Sequence, residues 1–260
     1  METRILTVSI STKKVPKQNR RDLETTAKPR KKQTKTDFSE KLERGRKLYM
    51  LGNYSEAMEI WLPLAENGDC EAQAWVGSLY ANGDGVDVNS KIAFEWYLKS
   101  AEGGNPQAQA NIGALYAMGQ GVQKDMVYAV KWMRRAARNG DPNAQFNMAV
   151  FYAKGDGVKQ SLIKAAEWYR KGAENGHYPS QGRLGHMYYV GEGVKKDRIE
   201  AYLWLSLAGQ HGIGSALIEL EKVVGEMSSD EKSAAMQLVD IWRSRGNDNS
   251  SPKVFSPIPS

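Results

Sequence analysis

Residues 108–140 read AQANIGALYAMGQGVQKDMVYAVKWMRRAARNG, and this pattern occurs four times in the chain at a spacing of 36 residues. In register, each copy carries a small residue (Gly77, Gly113, Ala149, Gly185), a Tyr three later (Tyr80, Tyr116, Tyr152, Tyr188) and a Gly-x-Gly-Val turn. An Ala follows (Ala93, Ala129, Ala165, Ala201), then a Trp three later (Trp96, Trp132, Trp168, Trp204) and a closing Gly (Gly104, Gly140, Gly176, Gly212). A period in this range marks a solenoid, whose units bury their apolar faces only by stacking on their neighbours.

Within the quoted copy, Ala108, Ile112, Leu115 and Tyr116 recur at helical spacing before Gly119-Gln120-Gly121, and Ala129, Val130, Trp132, Met133 and Ala136 do so after it. Each unit therefore reads as helix A, turn, helix B. Glycine inside a helix costs about 1 kcal/mol relative to alanine. At Gly77, Gly113 and Gly185 the spacing predicts a close approach of helix B and its Trp. The paired glycines of each turn have neither a preceding strand nor a following Lys-Ser/Thr, which excludes a phosphate-binding loop. Asp84, Asp87 and Asn89 lack the full calcium-loop pattern and read as turn and cap residues. Asn67-Gly68, Gly103-Gly104, Asn139-Gly140, Asn175-Gly176 and His211-Gly212 end the B helices, and Pro106 and Pro142 suit the first turn of the next helix. The recurring Trp and Tyr are expected to pack the core.

The combination Ala-x-x-x-x-Gly-x-x-Tyr, Gly-x-Gly-Val, Ala-x-x-Trp, Ala-x-x-Gly resembles the Sel1-like repeat, a relative of the tetratricopeptide repeat, over residues 72–212. Ala149, Asn89 and Ser161 are its few departures. The expected fold is all-α, a right-handed α-solenoid of stacked helix-turn-helix repeats with disordered tails. Residues 1–37 are expected as a basic tail, 38–69 as a tetratricopeptide-like opening hairpin, 70–213 as four repeats, 214–245 as a capping hairpin and 246–260 as a second tail. In the opening hairpin Gly45, Gly52-Asn53-Tyr54, Ala57 and Trp61 carry the likeness. In the closing one, Ser228 and Glu231 form a capping box. Glu219, Glu221, Lys222, Asp230, Glu231 and Lys232 are expected on outward faces that stop the stack from growing. The closing segment also resembles bacterial members of the family.

At 260 residues, 41% of them hydrophobic, the chain can bury an ample core. Its formal charge of +6 is uneven: residues 1–36 hold eleven Lys/Arg against three acids, +8, which leaves −2 for the remainder. A basic arm attracts nucleic acid or an anionic membrane surface, although this one lacks an aromatic residue for base stacking. That makes tail-driven association, with the repeats as tether, the alternative function. No apolar run reaches the roughly 18 residues that span a bilayer. Ile5 to Ile10 is too short for a signal-peptide core, so a cytoplasmic monomer is expected. The family resemblance leaves export open. A disulfide-bearing branch of the family is excluded because Cys70 is the only cysteine.

His177, His186 and His211 fall at different repeat positions, and no metal-ligand spacing occurs, so neither a catalytic constellation nor a metal or other cofactor is expected. The resemblance implies instead that the helix-A face left free of packing lines a concave groove for a protein segment. Transferred to this register, the groove begins with small residues such as Ser78 and Ala114. It ends with the larger Phe146, Val150, His186 and Tyr189, the expected partner-binding residues, whose composition suits an interface hot spot.

Overall fold

A capped start and a glycine stop bound the eight repeat helices, and the described residues form twelve helices in all. The computed structural model describes residues 35–247. The helices are α1 (Lys35–Met50), α2 (Tyr54–Glu66), α3 (Cys70–Asn82), α4 (Ser90–Glu102), α5 (Pro106–Met118) and α6 (Met126–Arg138). They continue with α7 (Pro142–Lys154), α8 (Leu162–Glu174), α9 (Tyr178–Val190), α10 (Arg198–Gln210), α11 (Gly214–Glu226) and α12 (Ser229–Asn247). No strand occurs among the described residues. Both terminal helices reach slightly into the segments expected to be tails, and the rest of those tails lies outside the described residues.

The A helices α3, α5, α7 and α9 start on Asp69, Asn105, Asp141 and His177, whose side chains accept from the backbone N–H of Ala72, Ala108, Ala144 and Ser180. The B helices α4, α6, α8 and α10 start on Asn89, Asp125, Ser161 and Asp197 in the same way. Each such cap satisfies an otherwise orphaned donor and contributes about 1 kcal/mol. The substitutions Asn89 and Ser161 therefore preserve the function of the aspartates. Between the helices, the N–H of each B-helix cap donates to the carbonyl of the recurring Tyr, as from Asp125 to Tyr116 at 2.9 Å.

The two turn glycines have different tasks. Gly119 ends α5 in the left-handed region (φ 74°), as a helix C-terminus requires. Gly121 is also left-handed (φ 70°), but a Cβ there would collide with the backbone carbonyl of Ser90 at the start of the preceding B helix. Gly157 and Gly193 meet the carbonyls of Met126 and Leu162 in the same manner. The second glycine thus sets how closely one unit docks on the last.

Trp132 and Trp204 are buried, whereas Trp96 and Trp168 are half-buried under the ammonium groups of Lys99 and Lys171. The side chain over each mid-helix glycine is the residue after the Trp. Tyr97 would lie 2.9 Å from a Cβ on Gly77, Met133 3.1 Å from one on Gly113, and Leu205 2.7 Å from one on Gly185. The expected close approach is present, but the Trp is one position away from it. In the opening hairpin the pairing is direct, with the Trp61 indole against Gly45.

A buried glutamine adds a second 36-residue feature. Gln73, Gln109, Gln145 and Gln181 donate to the carbonyls of Ala65, Ala101, Ala137 and Ala173 at 3.0–3.2 Å, tying each A helix to the end of the preceding B helix. Asn139 and Asn175 then donate to the side-chain carbonyls of Gln109 and Gln145 at 3.1 and 3.0 Å. One unit on, His211 takes the place of those asparagines and stacks on Tyr178 instead, and Gln181 Oε1 is left without a protein partner.

Candidate partner-binding groove

Three alternate helices, α7, α9 and α11, border one cavity of about 430 Å³ lined by Phe146, Gly182, Arg183, His186, Ala216 and Glu219, among others. Its wall exists because Phe146 is held from beneath. The ring is edge-on to Tyr169 at 5.5 Å and to His177 at 5.2 Å. His177 is fixed in turn as the cap of α9, its Nδ1 accepting from Ser180 N at 3.3 Å. Burial lowers the His177 pKa to about 4, so the imidazole is neutral at neutral pH and can serve as that acceptor. Burial also raises the Tyr169 phenol, with the Arg183 charge opposing it. Gly182 keeps the floor low, and a Cβ there would make only ordinary contacts, the nearest at 3.7 Å to Ala208.

Of the four residues expected to bind a partner, the cavity joins Phe146 and His186. Val150 is half-buried against the core between them in sequence and does not line it. Tyr189 is likewise outside the lining, and its hydroxyl donates to Glu226 Oε1 at 2.7 Å. That bond, ahead of burial and of the charges of Glu226 and Glu219, raises the Tyr189 pKa. His186 Nδ1 lies 2.6 Å from Glu219 Oε1.

These contacts correct the expectation for the closing hairpin. Glu219 and Glu231 are not free outward charges. Glu219 engages His186, while Glu231 pairs with Arg198 at 2.9 Å and accepts from the Ser228 N–H at 2.8 Å in the expected capping box. Glu221, Lys222 and Asp230 are exposed as expected. Glu219 continues the 36-residue register of Asn111, Asn147 and Arg183, a signal present in the sequence although α11 lacks the rest of the repeat.

Among the described residues, no group of three or more His, Cys, Asp or Glu is placed to hold a metal ion. Within those same residues, no helix is long and apolar enough to cross a membrane. Cys70 is a free thiol of intermediate exposure at the start of α3.

Comparison with protein families matches the Sel1 repeat at residues 70–105, 106–141, 142–177 and 179–213. No curated protein matches the chain. Among solved structures, a Sel1 repeat protein from Oxalobacter formigenes is similar at 32% identity and a TM-score of 0.68, over 80% of this chain and 85% of that one. The c5321 protein, described as a protective antigen of uropathogenic Escherichia coli strains with an SLR fold, matches at 29% identity and a TM-score of 0.69. That match covers 85% of this chain and 50% of c5321, so the chain spans about half the length of that relative.

Proposed function

Because this chain belongs to the Sel1 repeat family, we propose that it is a non-enzymatic adaptor that holds a segment of a partner protein in the cavity of Phe146 and His186, with Val150 and Tyr189 on the same helices beside it. Sel1 repeat proteins are generally protein-interaction scaffolds. The observation that carries the proposal here is the cavity between α7, α9 and α11, in which one aromatic wall faces a hydrogen-bonding rim. A partner side chain can bury apolar surface on Phe146 while its backbone meets Arg183, His186 and Glu219. Apolar anchoring beside a few placed polar groups is the usual composition of an interface hot spot. In this proposal α1 and α2 open the stack, and α11 and α12 close it, α11 also completing the groove.

The test is affinity capture from a lysate of the source cell with the full chain and with a Phe146→Ala/Tyr189→Ala variant, at low and high salt. A discrete protein retained by the native chain at high salt and lost with the variant is the expected result, because apolar contacts lose little to screening. Equal retention by the variant would overturn the groove assignment. Capture that collapses with salt or nuclease would favour the basic tail as the functional element.

A further inference from the structure

The outer faces of the B helices are not alike. On α10 that face is apolar: Leu203 and Leu207 are buried in the same cluster as Ala235 and Val239 of α12, which packs on it. Nothing described covers the corresponding positions of α4, α6 and α8, and they are exposed and charged. One register position holds Glu95, Lys131 and Glu167, and another holds Glu102, Arg138 and Glu174. Between these lie Lys99, Arg135 and Lys171. The faces of α4 and α8 therefore alternate in sign, whereas α6 carries Lys131, Arg134, Arg135 and Arg138 without one acid.

Among the described residues, none of these four cations has a carboxylate within ion-pair distance. Three of them are nevertheless held in place. The Lys131 ammonium lies over the Tyr128 ring at 5.5 Å, the Arg135 guanidinium lies over Trp132 at 4.5 Å, and Arg134 donates to the Tyr152 hydroxyl at 3.5 Å. Lys131, Arg135 and Arg138 are exposed and lie one turn apart, a line of about 10 Å along the helix.

We propose that this cationic ridge on α6 is a second docking surface, and that its occupant is an acidic protein segment lying along the helix. Carboxylates spaced along such a segment match the cations, and guanidinium groups bind carboxylates in paired hydrogen bonds. At the same register positions, the B helices of the preceding and following units carry Glu95 and Glu102, and Glu167 and Glu174. A nucleic-acid duplex or a bilayer surface is broad enough to press phosphates against those glutamates, whereas a single peptide meets only cations. The surface belongs to helix B, so it is independent of the groove assigned to the A helices.

The decisive pair is the full-length native chain and the full-length Lys131→Glu/Arg138→Glu variant, titrated with a fluorescently labelled oligoglutamate peptide and read by anisotropy. Both substitutions install the residues that α4 and α8 already carry in this register, so the fold is preserved, and the basic N-terminal segment is the same in both proteins. The expected result is binding that weakens with salt and falls roughly tenfold or more in the variant. Lys131→Gln/Arg138→Gln is expected to fall between the two. Equal affinity of native and glutamate variants would overturn the proposal. So would a labelled single-stranded oligonucleotide that binds more tightly than oligoglutamate and loses that binding in the variant.

Discussion

Gly121 and Gly140 have the same left-handed backbone but different surroundings, so they separate conformational strain from steric collision. At Gly140 a Cβ would meet nothing within 4 Å, and alanine should cost only about 1–2 kcal/mol for the left-handed conformation. At Gly121 the Cβ would also strike the Ser90 carbonyl, which cannot move without shifting the start of α4. Gly121→Ala is therefore expected to cost at least about 3 kcal/mol. Denaturant unfolding of both variants checks the ordering, and equal losses would show that the inter-unit contact at Gly121 is not limiting. Glycine pairs in every turn were plain in the sequence. Their division of labour was not, because the second glycine is needed by an atom about thirty residues earlier in the chain.

Between helices, the glutamine ladder does what the apolar stripe cannot, satisfying B-helix carbonyls that the next unit buries. Gln145 both donates to Ala137 and accepts from Asn175 in a buried seam. Asn175→Ala should leave Gln145 Oε1 unpaired and cost about 1–3 kcal/mol. His211→Ala, at the same repeat position, breaks no such bond and should cost less, as read by thermal or denaturant unfolding. The Gln at 73, 109, 145 and 181 recurs as strictly as the Tyr and the Trp. Periodicity could have found it, but not its partners, since an isolated glutamine is as readily a surface residue. The Trp shows the reverse. Its recurrence was legible, yet rotation of helix B places the following residue over the glycine and leaves Trp96 and Trp168 half-buried.

For the molecule as a whole, every unit closes the face left open by its neighbour, and α12 closes the last one. The Trp242 ring meets Trp204 edge-on at 4.8 Å, and together with Val239 it covers the apolar outer face of α10. A chain ending at Met227 should therefore expose Leu203, Leu207 and Trp204 and self-associate as its concentration rises. Light scattering of that truncation beside the full chain measures this, and a monodisperse truncation would show that α12 is not needed as a cover. The same end of the stack supplies Glu219 and Glu226 to His186 and Tyr189, so one hairpin both closes the stack and, through α11, borders the cavity.

The sequence by itself determined the repeat helices, their turns and their order, because those depend on contacts within one 36-residue unit and are written four times over. Family membership was equally legible, since it rests on the same recurring positions. Only the tertiary structure decided which side chains meet across the seams. The angle between units sets whether Phe146 joins His186 across a cavity, whether Glu219 is solvated or engaged, and whether the cations of α6 reach an acid or stand apart from one. That angle follows from the summed packing of glycines, glutamines and aromatics in neighbouring units, which no single segment encodes.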